Sequence, residues 1–411
     1  MSLYNFDAGL PDPAFYPVAD LRHYYDQVLR ADGADACNYT SGLDRKDMVY
    51  GHHGLRVAMA AWLDHNEGTR LSEGNLLLAN GSMNGISMAV NALVGPGDAV
   101  VVEAVSYPYA RRFMEAAGAT VFTVPVDENG MDVEAVGERF TQAAAVGLRP
   151  TLVYTVATFH SPTGTVLASD RRKRLVELAR QFGFTVLDDN CYYHLFYDGP
   201  ALDSLLSFND GQGPVVQSGS FSKYVAPGLR MAWLAASAEA IASIARHRQD
   251  FAVSQLTARV LEGYVADGLL DNHLVDLRRL YRSKRDVAAA ALDRYCAPLV
   301  RFRLPAGGIY FWLEVDERVD FDGALARAAE LGVGFRPGAH FLNEDTGTRH
   351  LRLSVAQLPE VDIEAGIALL GQALGQAVTH RSQVGGTADG PVAECFSKKS
   401  PSERSLRRAR P

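Results

Sequence analysis

The stretch Ser218-Gly219-Ser220-Phe221-Ser222-Lys223-Tyr224-Val225-Ala226-Pro227-Gly228-Leu229-Arg230 decides how the rest of the chain is read. It follows the apolar pair Val215-Val216 and leads into Met231-Ala232-Trp233-Leu234-Ala235-Ala236, so Lys223 is expected in a polar, glycine-bearing loop between two strands. Most loop lysines are simply solvated. This one has hydroxyls at Ser220 and Ser222 and a fixed positive charge at Arg230 for company. A lysine that forms a Schiff base needs lowered basicity and an anchor for its carbonyl partner, and serines with an arginine are suited to holding a phosphate.

Outward from that loop, the chain alternates strand, turn and helix. Strands are expected at Leu76–Ala79, Ala99–Val105, Thr120–Val126, Thr151–Thr158, Phe184–Leu187 and Pro214–Gln217. Their continuous Val/Leu/Ile character suits strands buried on both faces of a largely parallel sheet flanked by helices. Residues 169–182 read as one such helix, capped by Ser169 or Asp170 and stopped at Gly183. Helical periodicity is also expected at Val18–Leu29, about Val57–His65, and in one long stretch from Leu256 to Tyr295. Near Pro298 the character changes to short strands at Val300–Leu304, Ile309–Val315 and Leu351–Val355, with a helix at Phe321–Leu331, as in a smaller α+β domain. The opening Phe6-Asp7-Ala8-Gly9-Leu10-Pro11-Asp12-Pro13 reads as an extended arm.

Composition narrows the class. With 411 residues, 47% hydrophobic and 21% charged, the chain has room for two domains of an ordinary globular protein. A net charge of −8 argues against a nucleic-acid binder. Cys37, Cys191, Cys296 and Cys395 are scattered, without a CxxC pair, so neither a zinc site nor a disulfide framework is expected, and metal ligands are expected to be absent. The N-terminus lacks the features of a signal peptide, and no run approaches a membrane span. The expectation is a cytoplasmic protein with no membrane or nucleic-acid partner.

The run Ser-x-Ser-Lys followed seven residues later by Arg resembles the lysine segment of the class I/II aminotransferases, the fold-type I enzymes of pyridoxal 5'-phosphate (PLP). Other segments resemble that family in its order, across roughly residues 5 to 375: Gly9-Leu10-Pro11-Asp12, Tyr50-Gly51-x-x-Gly54-Leu55, Asn80-Gly81-Ser82-Met83, Ser106-Tyr107-Pro108, Ser161-Pro162-Thr163-Gly164, Asp189-x-x-Tyr192, Pro337-Gly338-x-x-Phe341 and Leu351-Arg352-Leu353-Ser354. The resemblance implies an α/β architecture, with a large domain built on a mostly parallel seven-stranded sheet and a smaller α+β domain. It also implies a division into residues 1–45 (arm and part of the small domain), 46–297 (large PLP-binding domain), 298–379 (small domain) and 380–411 (disordered tail).

The same resemblance assigns roles. Lys223 would be the Schiff-base lysine. Gly81, Ser82, Met83, Ser220, Ser222 and Arg230 would surround the cofactor phosphate, with Tyr50 reaching the phosphate of a neighbouring subunit in a homodimer. Tyr107 would stack on the ring, Asp189 would pair with its nitrogen, and Tyr192 and Ser161 would approach its ring oxygen. Arg352 would clamp the substrate carboxylate, with Gly9 nearby. Asp188 is off the spacing by one, Tyr109 suits a surface or packing role, and Arg336 reads as a surface arginine rather than a second substrate contact. His160 reads as a packed strand-end histidine. His52 and His53 are weighed evenly between loop surface and active site.

Serine stands at Ser161 where the family carries asparagine, which leaves three readings of the activity. The first is transfer of the amino group of an α-amino acid to a 2-oxo acid. The second is β/γ-elimination, replacement or cyclisation on the same fold. The third is a non-catalytic PLP-binding regulator.

Overall fold

Seven strands form one sheet, in the spatial order Leu76–Ala79, Ala232–Ala235, Val215–Ser220, Thr185–Asp189, Arg149–Thr155, Asp98–Glu103 and Thr120–Val124. Ala232–Ala235 runs antiparallel to both of its neighbours, and every other pairing in the sheet is parallel. In the computed structural model, residues 3–39, 45–199, 202–209, 213–342 and 348–379 are described; the tail expected at 380–411 lies outside them. Apart from the edge strand Thr120–Val124 and the start of Arg149–Thr155 the strands are almost wholly buried, and Val100–Val102, Leu152–Tyr154, Val186–Leu187 and Val215–Val216 lie in one apolar core with the flanking helices. Burial on both faces explains why these runs lack polar alternation.

The strand leading to Lys223 continues three residues further than its apolar character suggested, to Ser220. Gly219 pairs with Trp233, and a side-chain carbon at Gly219 would come within 2.1 Å of the indole. Glycine therefore lets the tryptophan close over the strand and carry the pairing to the sheet edge. The helix Ser169–Phe182 has the expected bounds, but its N-cap is Ala168 with no side-chain hydrogen bond, so neither Ser169 nor Asp170 caps it. The long helical stretch is two helices, Gln255–Ala266 and Leu269–Tyr295. The break falls at Asp267-Gly268, where the Asp267 carboxylate accepts a 2.5 Å hydrogen bond from Tyr24 Oη.

A second core is built on a four-stranded sheet in the order Val300–Arg301, Tyr310–Val315, His350–Ser354 and Arg336–Pro337. The first of these strands ends at Arg301 rather than Leu304. Phe311, Leu313, Leu351 and Leu353 pack there against Ile363, Ile367 and Leu370 of the helix Glu360–Gln376. The helix Leu269–Tyr295 serves both cores, with Leu270, Leu274, Leu277 and Tyr281 in the first and Ala288, Ala291 and Leu292 in the second. Tyr4–Asn5 of the arm pairs with Val333–Gly334, and Phe6 is fully buried in the second core. Further on, Asp12 Oδ2 accepts a 2.6 Å bond from Lys284 Nζ. The arm is thus pinned on both sides of Asp7–Leu10, which crosses the carboxyl edge of the large sheet.

Candidate active site

Parallel strands deliver their carboxyl ends to one edge, the usual place for a ligand in an open α/β sheet. Here that edge carries Gly81 and Ser82 after Ala79, Tyr107 after Glu103, Ser161 after Thr155, Asp189 at its strand end, and Ser222 and Lys223 after Ser220. Ser82, Met83, Tyr107, Ser161, Asp189, Tyr192, Ser220, Ser222, Lys223, Arg230, Gly9 and Arg352 all line one cavity of about 480 Å³. Twelve positions drawn from residue 9 to residue 352 thus converge. Gly81 lies directly beneath, buried against Arg230.

The floor is buried and hydrogen-bonded. Asp189 accepts from Tyr154 Oη on Oδ2 and from the Cys191 thiol on Oδ1, each at 2.9 Å. Burial holds its carboxyl above the usual range, while the Cys191 and Tyr154 bonds and the nearby Lys223 charge pull the other way. The neighbouring Asp188 points away, fully buried, with Oδ1 3.4 Å from Ala157 N, and burial pushes it up to about 7 in spite of Arg172. Tyr192 Oη is 3.0 Å from Tyr310 Oη. The Ser161 Oγ is buried and has no hydrogen-bond partner among the described residues.

At the Arg230 side of the cavity, the helix Ser82–Leu93 opens at Gly81 without a side-chain cap, leaving the positive end of its dipole toward the cavity. Gly81 has φ +93°, and a side-chain carbon there would come within 2.0 Å of Arg230 Nη2. Arg230 Nη2 donates to Asn80 O at 3.1 Å, and Ser220 Oγ accepts from Ser222 N at 3.1 Å. Glycine is needed at 81 for both the backbone angle and the guanidinium's approach.

The roof is charged. Lys223 Nζ donates to Gly9 O at 2.6 Å and stands 5.9 Å from the centre of the Tyr192 ring. Arg352 Nη2 donates to Asp7 O at 2.7 Å, its guanidinium lies 4.3 Å from the Tyr310 ring centre and 4.7 Å from that of Phe341, and its Nε has no partner among the described residues. Arg336, expected at the surface, is half-buried, lines the cavity and forks the Asp7 carboxylate through Nε and Nη2 at 2.6 and 2.7 Å. Tyr107 and Tyr109 face each other with ring centres 5.3 Å apart, and Tyr109 also lines the cavity.

Three histidines stand apart from this cavity. His160 is buried behind it, its Nδ1 2.8 Å from Thr163 Oγ1, and burial pushes it down to about 3. His52 is buried against Glu262, Nε2 to Oε2 2.7 Å, whereas His53 is exposed. Tyr50 lines a different cavity with Lys46, His53 and Arg56. Four residues of the site had gone unremarked in the sequence. Tyr154 had a readable signal, because a tyrosine inside a buried strand needs a partner for its hydroxyl. Cys191 is one of four scattered cysteines without a pairing pattern, and Tyr310 falls inside an apolar strand run, so neither stands out in the sequence. Asp7 gave no signal at all, since Arg336 lies 329 residues away.

The sequence profile of the family described as aminotransferase class I and II matches residues 41–370. The chain belongs to that family. The aminotransferase is 30% identical over 368 residues to aromatic-amino-acid aminotransferase 1 of Thermococcus litoralis, covering 89% of this chain and 86% of that one. Its fold is similar to that of the multiple substrate aminotransferase of Thermococcus profundus, at a TM-score of 0.85, 28% identity and 92% coverage of both chains. It is also similar to the alpha-aminoadipate aminotransferase of Thermus thermophilus complexed with N-(5'-phosphopyridoxyl)-L-leucine, at a TM-score of 0.81 and 30% identity, covering 91% of this chain and 92% of that one. The fold is that of the PLP fold-type I enzymes, as the resemblance implied. The aminotransferase uses PLP and moves the amino group of an α-amino acid to a 2-oxo acid, the first of the three readings.

The cavity suits that cofactor. Its unpartnered Ser161 hydroxyl, the uncapped helix start at Ser82, the Ser220/Ser222/Arg230 cluster and a buried carboxylate at Asp189 together form the donor and acceptor set that a phosphorylated pyridine requires. Among the described residues no group of His, Cys, Asp and Glu is arranged to hold a metal ion, and no helix is long and apolar enough to cross a membrane.

Proposed function

We propose that amino transfer in this enzyme is carried by Lys223, with Asp189 and Arg352 as its two partners across the cavity. One observation supports this most: three chemically different demands, a reactive amine, a buried acid and a carboxylate clamp, meet in a single cavity of about 480 Å³. When bound, PLP supplies an electron-accepting ring that stabilises negative charge on the substrate's α-carbon. Gly81, Ser82, Met83, Ser220, Ser222 and Arg230 would hold its phosphate, Tyr107 would cover the ring, and Ser161 and Tyr192 would donate to the ring oxygen. Asp189, oriented by Tyr154 and Cys191, would keep a proton on the pyridine nitrogen. Arg352 fixes the substrate's α-carboxylate through its planar fork. Lys223 Nζ, released from Gly9 O, takes the α-proton as general base and later returns one as general acid.

The finer assignments belong to the same proposal: a cytoplasmic homodimer in which Tyr50 serves the neighbouring chain's site, and domains divided at 45/46 and 297/298. The burial of Phe6 in the second core supports grouping the arm with the small domain. Absorbance of the purified protein tests the reading. Wild type is expected to carry the visible band of lysine-bound PLP, and Lys223→Ala to lose it. Amino acids added to wild type should convert that band to the pyridoxamine form. A Lys223→Ala protein that keeps both the band and the conversion would refute the assignment.

A further inference from the structure

The cavity carries four cations from its own chain, and one of them is already answered. Arg336 spends Nε and Nη2 on the two carboxylate oxygens of Asp7, at 2.6 and 2.7 Å, a bidentate and charge-assisted pair. Arg352 gives Nη2 to the Asp7 carbonyl, has that nitrogen 3.9 Å from Asp7 Oδ1, beyond hydrogen-bond reach, and retains an Nε without a partner among the described residues. Lys223 and Arg230 are committed to the amine chemistry and the phosphate side. What remains for substrate is one open carboxylate position, at Arg352. Around it the walls are aromatic: Tyr107, Tyr109, Tyr310 and Phe341. Asp7 cannot drift from Arg336 freely, because Phe6 is fully buried on one side of it and Asp12 is paired with Lys284 on the other.

We propose that Asp7 is a specificity-determining residue: by capping Arg336 inside the substrate cavity, it restricts the enzyme to amino acids with one carboxylate and an uncharged, largely aromatic or apolar side chain. An incoming second carboxylate would have to displace a carboxylate already bound bidentately and would stand beside its negative charge. Discrimination of this kind works by rejection as much as by attraction. The inference rests on the reading of Arg352 as the α-carboxylate clamp.

Calorimetric binding of phenylpropionate and glutarate to the PLP-loaded enzyme tests it, since neither ligand has an amine to react. Wild type should prefer phenylpropionate. Asp7→Asn frees Arg336 and should shift the ratio of the two dissociation constants toward glutarate by about tenfold or more. The double variant Asp7→Asn, Arg336→Gln should return the ratio to that of wild type. A wild type preferring glutarate, an unchanged ratio in Asp7→Asn, or a shift surviving in the double variant would each overturn the inference. A general loosening of the arm would weaken both ligands together and leave the ratio unmoved. Arg352→Ala separates the two levels: if it binds both acids as wild type does, the clamp assignment fails, whatever Asp7 does.

Discussion

The floor and the roof of the active-site cavity are built on different physics. The floor gathers residues from the strand ends of one sheet, with Asp189, Ser161 and Tyr154 each at most 8% exposed and Asp189 held by a hydrogen bond from Tyr154. The roof joins residue 7 to residues 336 and 352 by ion pairs in which Asp7 and Arg336 have side chains 33% and 38% exposed while Arg352 is buried at 7%. Charges in the buried floor interact strongly and move one another's protonation, whereas Asp7 and Arg336 in the roof are partly screened and are held together by their bidentate geometry. On the proposed roles, the floor would tune the cofactor and the roof would choose the substrate.

The predictions test that division. Lys223 belongs to both halves, rising from the sheet edge to touch Gly9 O, and Lys223→Ala should reduce amino transfer by about 10³-fold or more, measured by product formation. Arg352→Ala should come next, with kcat/KM for the amino acid falling roughly a hundredfold and most of the loss in KM, because a buried charge partner is removed from a substrate held by it. If Arg352→Ala instead lowered kcat alone and left KM intact, roof and floor would not be separable in this way. Tyr154→Phe should lower kcat about tenfold with little change in KM, the reverse signature, since it removes a donor from Asp189 and touches no substrate.

A smaller effect concerns the buried carboxyls below the floor. Burial pushes Glu103 and Asp188 up to about 7 each, against about 4 in an unfolded chain. A carboxyl that binds its proton more tightly when folded stabilises the fold fully below its unfolded pKa, and that contribution is lost as pH rises through the folded value. The melting temperature of the cofactor-free protein should therefore fall between about pH 4 and pH 7, and Asp188→Asn should flatten part of that fall. A variant with the wild-type slope would show that Asp188 does not titrate in this window. Ser161→Ala should have the least effect: melting unchanged without cofactor, because the hydroxyl has no partner to lose, and PLP affinity weaker by a few-fold in equilibrium titration.

Much of the floor was legible in the chain because its parts are local. Ser220, Ser222 and Lys223 sit within four residues of one another, Asp189 and Tyr192 within one strand end, and Gly81 and Ser82 at one turn, so short patterns carry the chemistry. Even there the third dimension added something: Tyr154 reaches Asp189 from 35 residues away, across adjacent strands. Arg336 was misread because its neighbours in sequence are ordinary turn residues, and only the pairing of Arg336 with Arg352 across two strands turns it inward.

By itself the sequence determined the alternation of buried strands and helices and the local groupings Ser220-Ser222-Lys223, Asp189-Tyr192 and Gly81-Ser82, since hydrophobic period and turn chemistry are set within a few residues. Only the tertiary structure decided that the arm's Asp7 closes on Arg336 and Arg352, and how His52 and His160 are withdrawn into other packing. Ion pairing depends on which charges meet in space, and the folded arm brings together residues separated by more than three hundred positions.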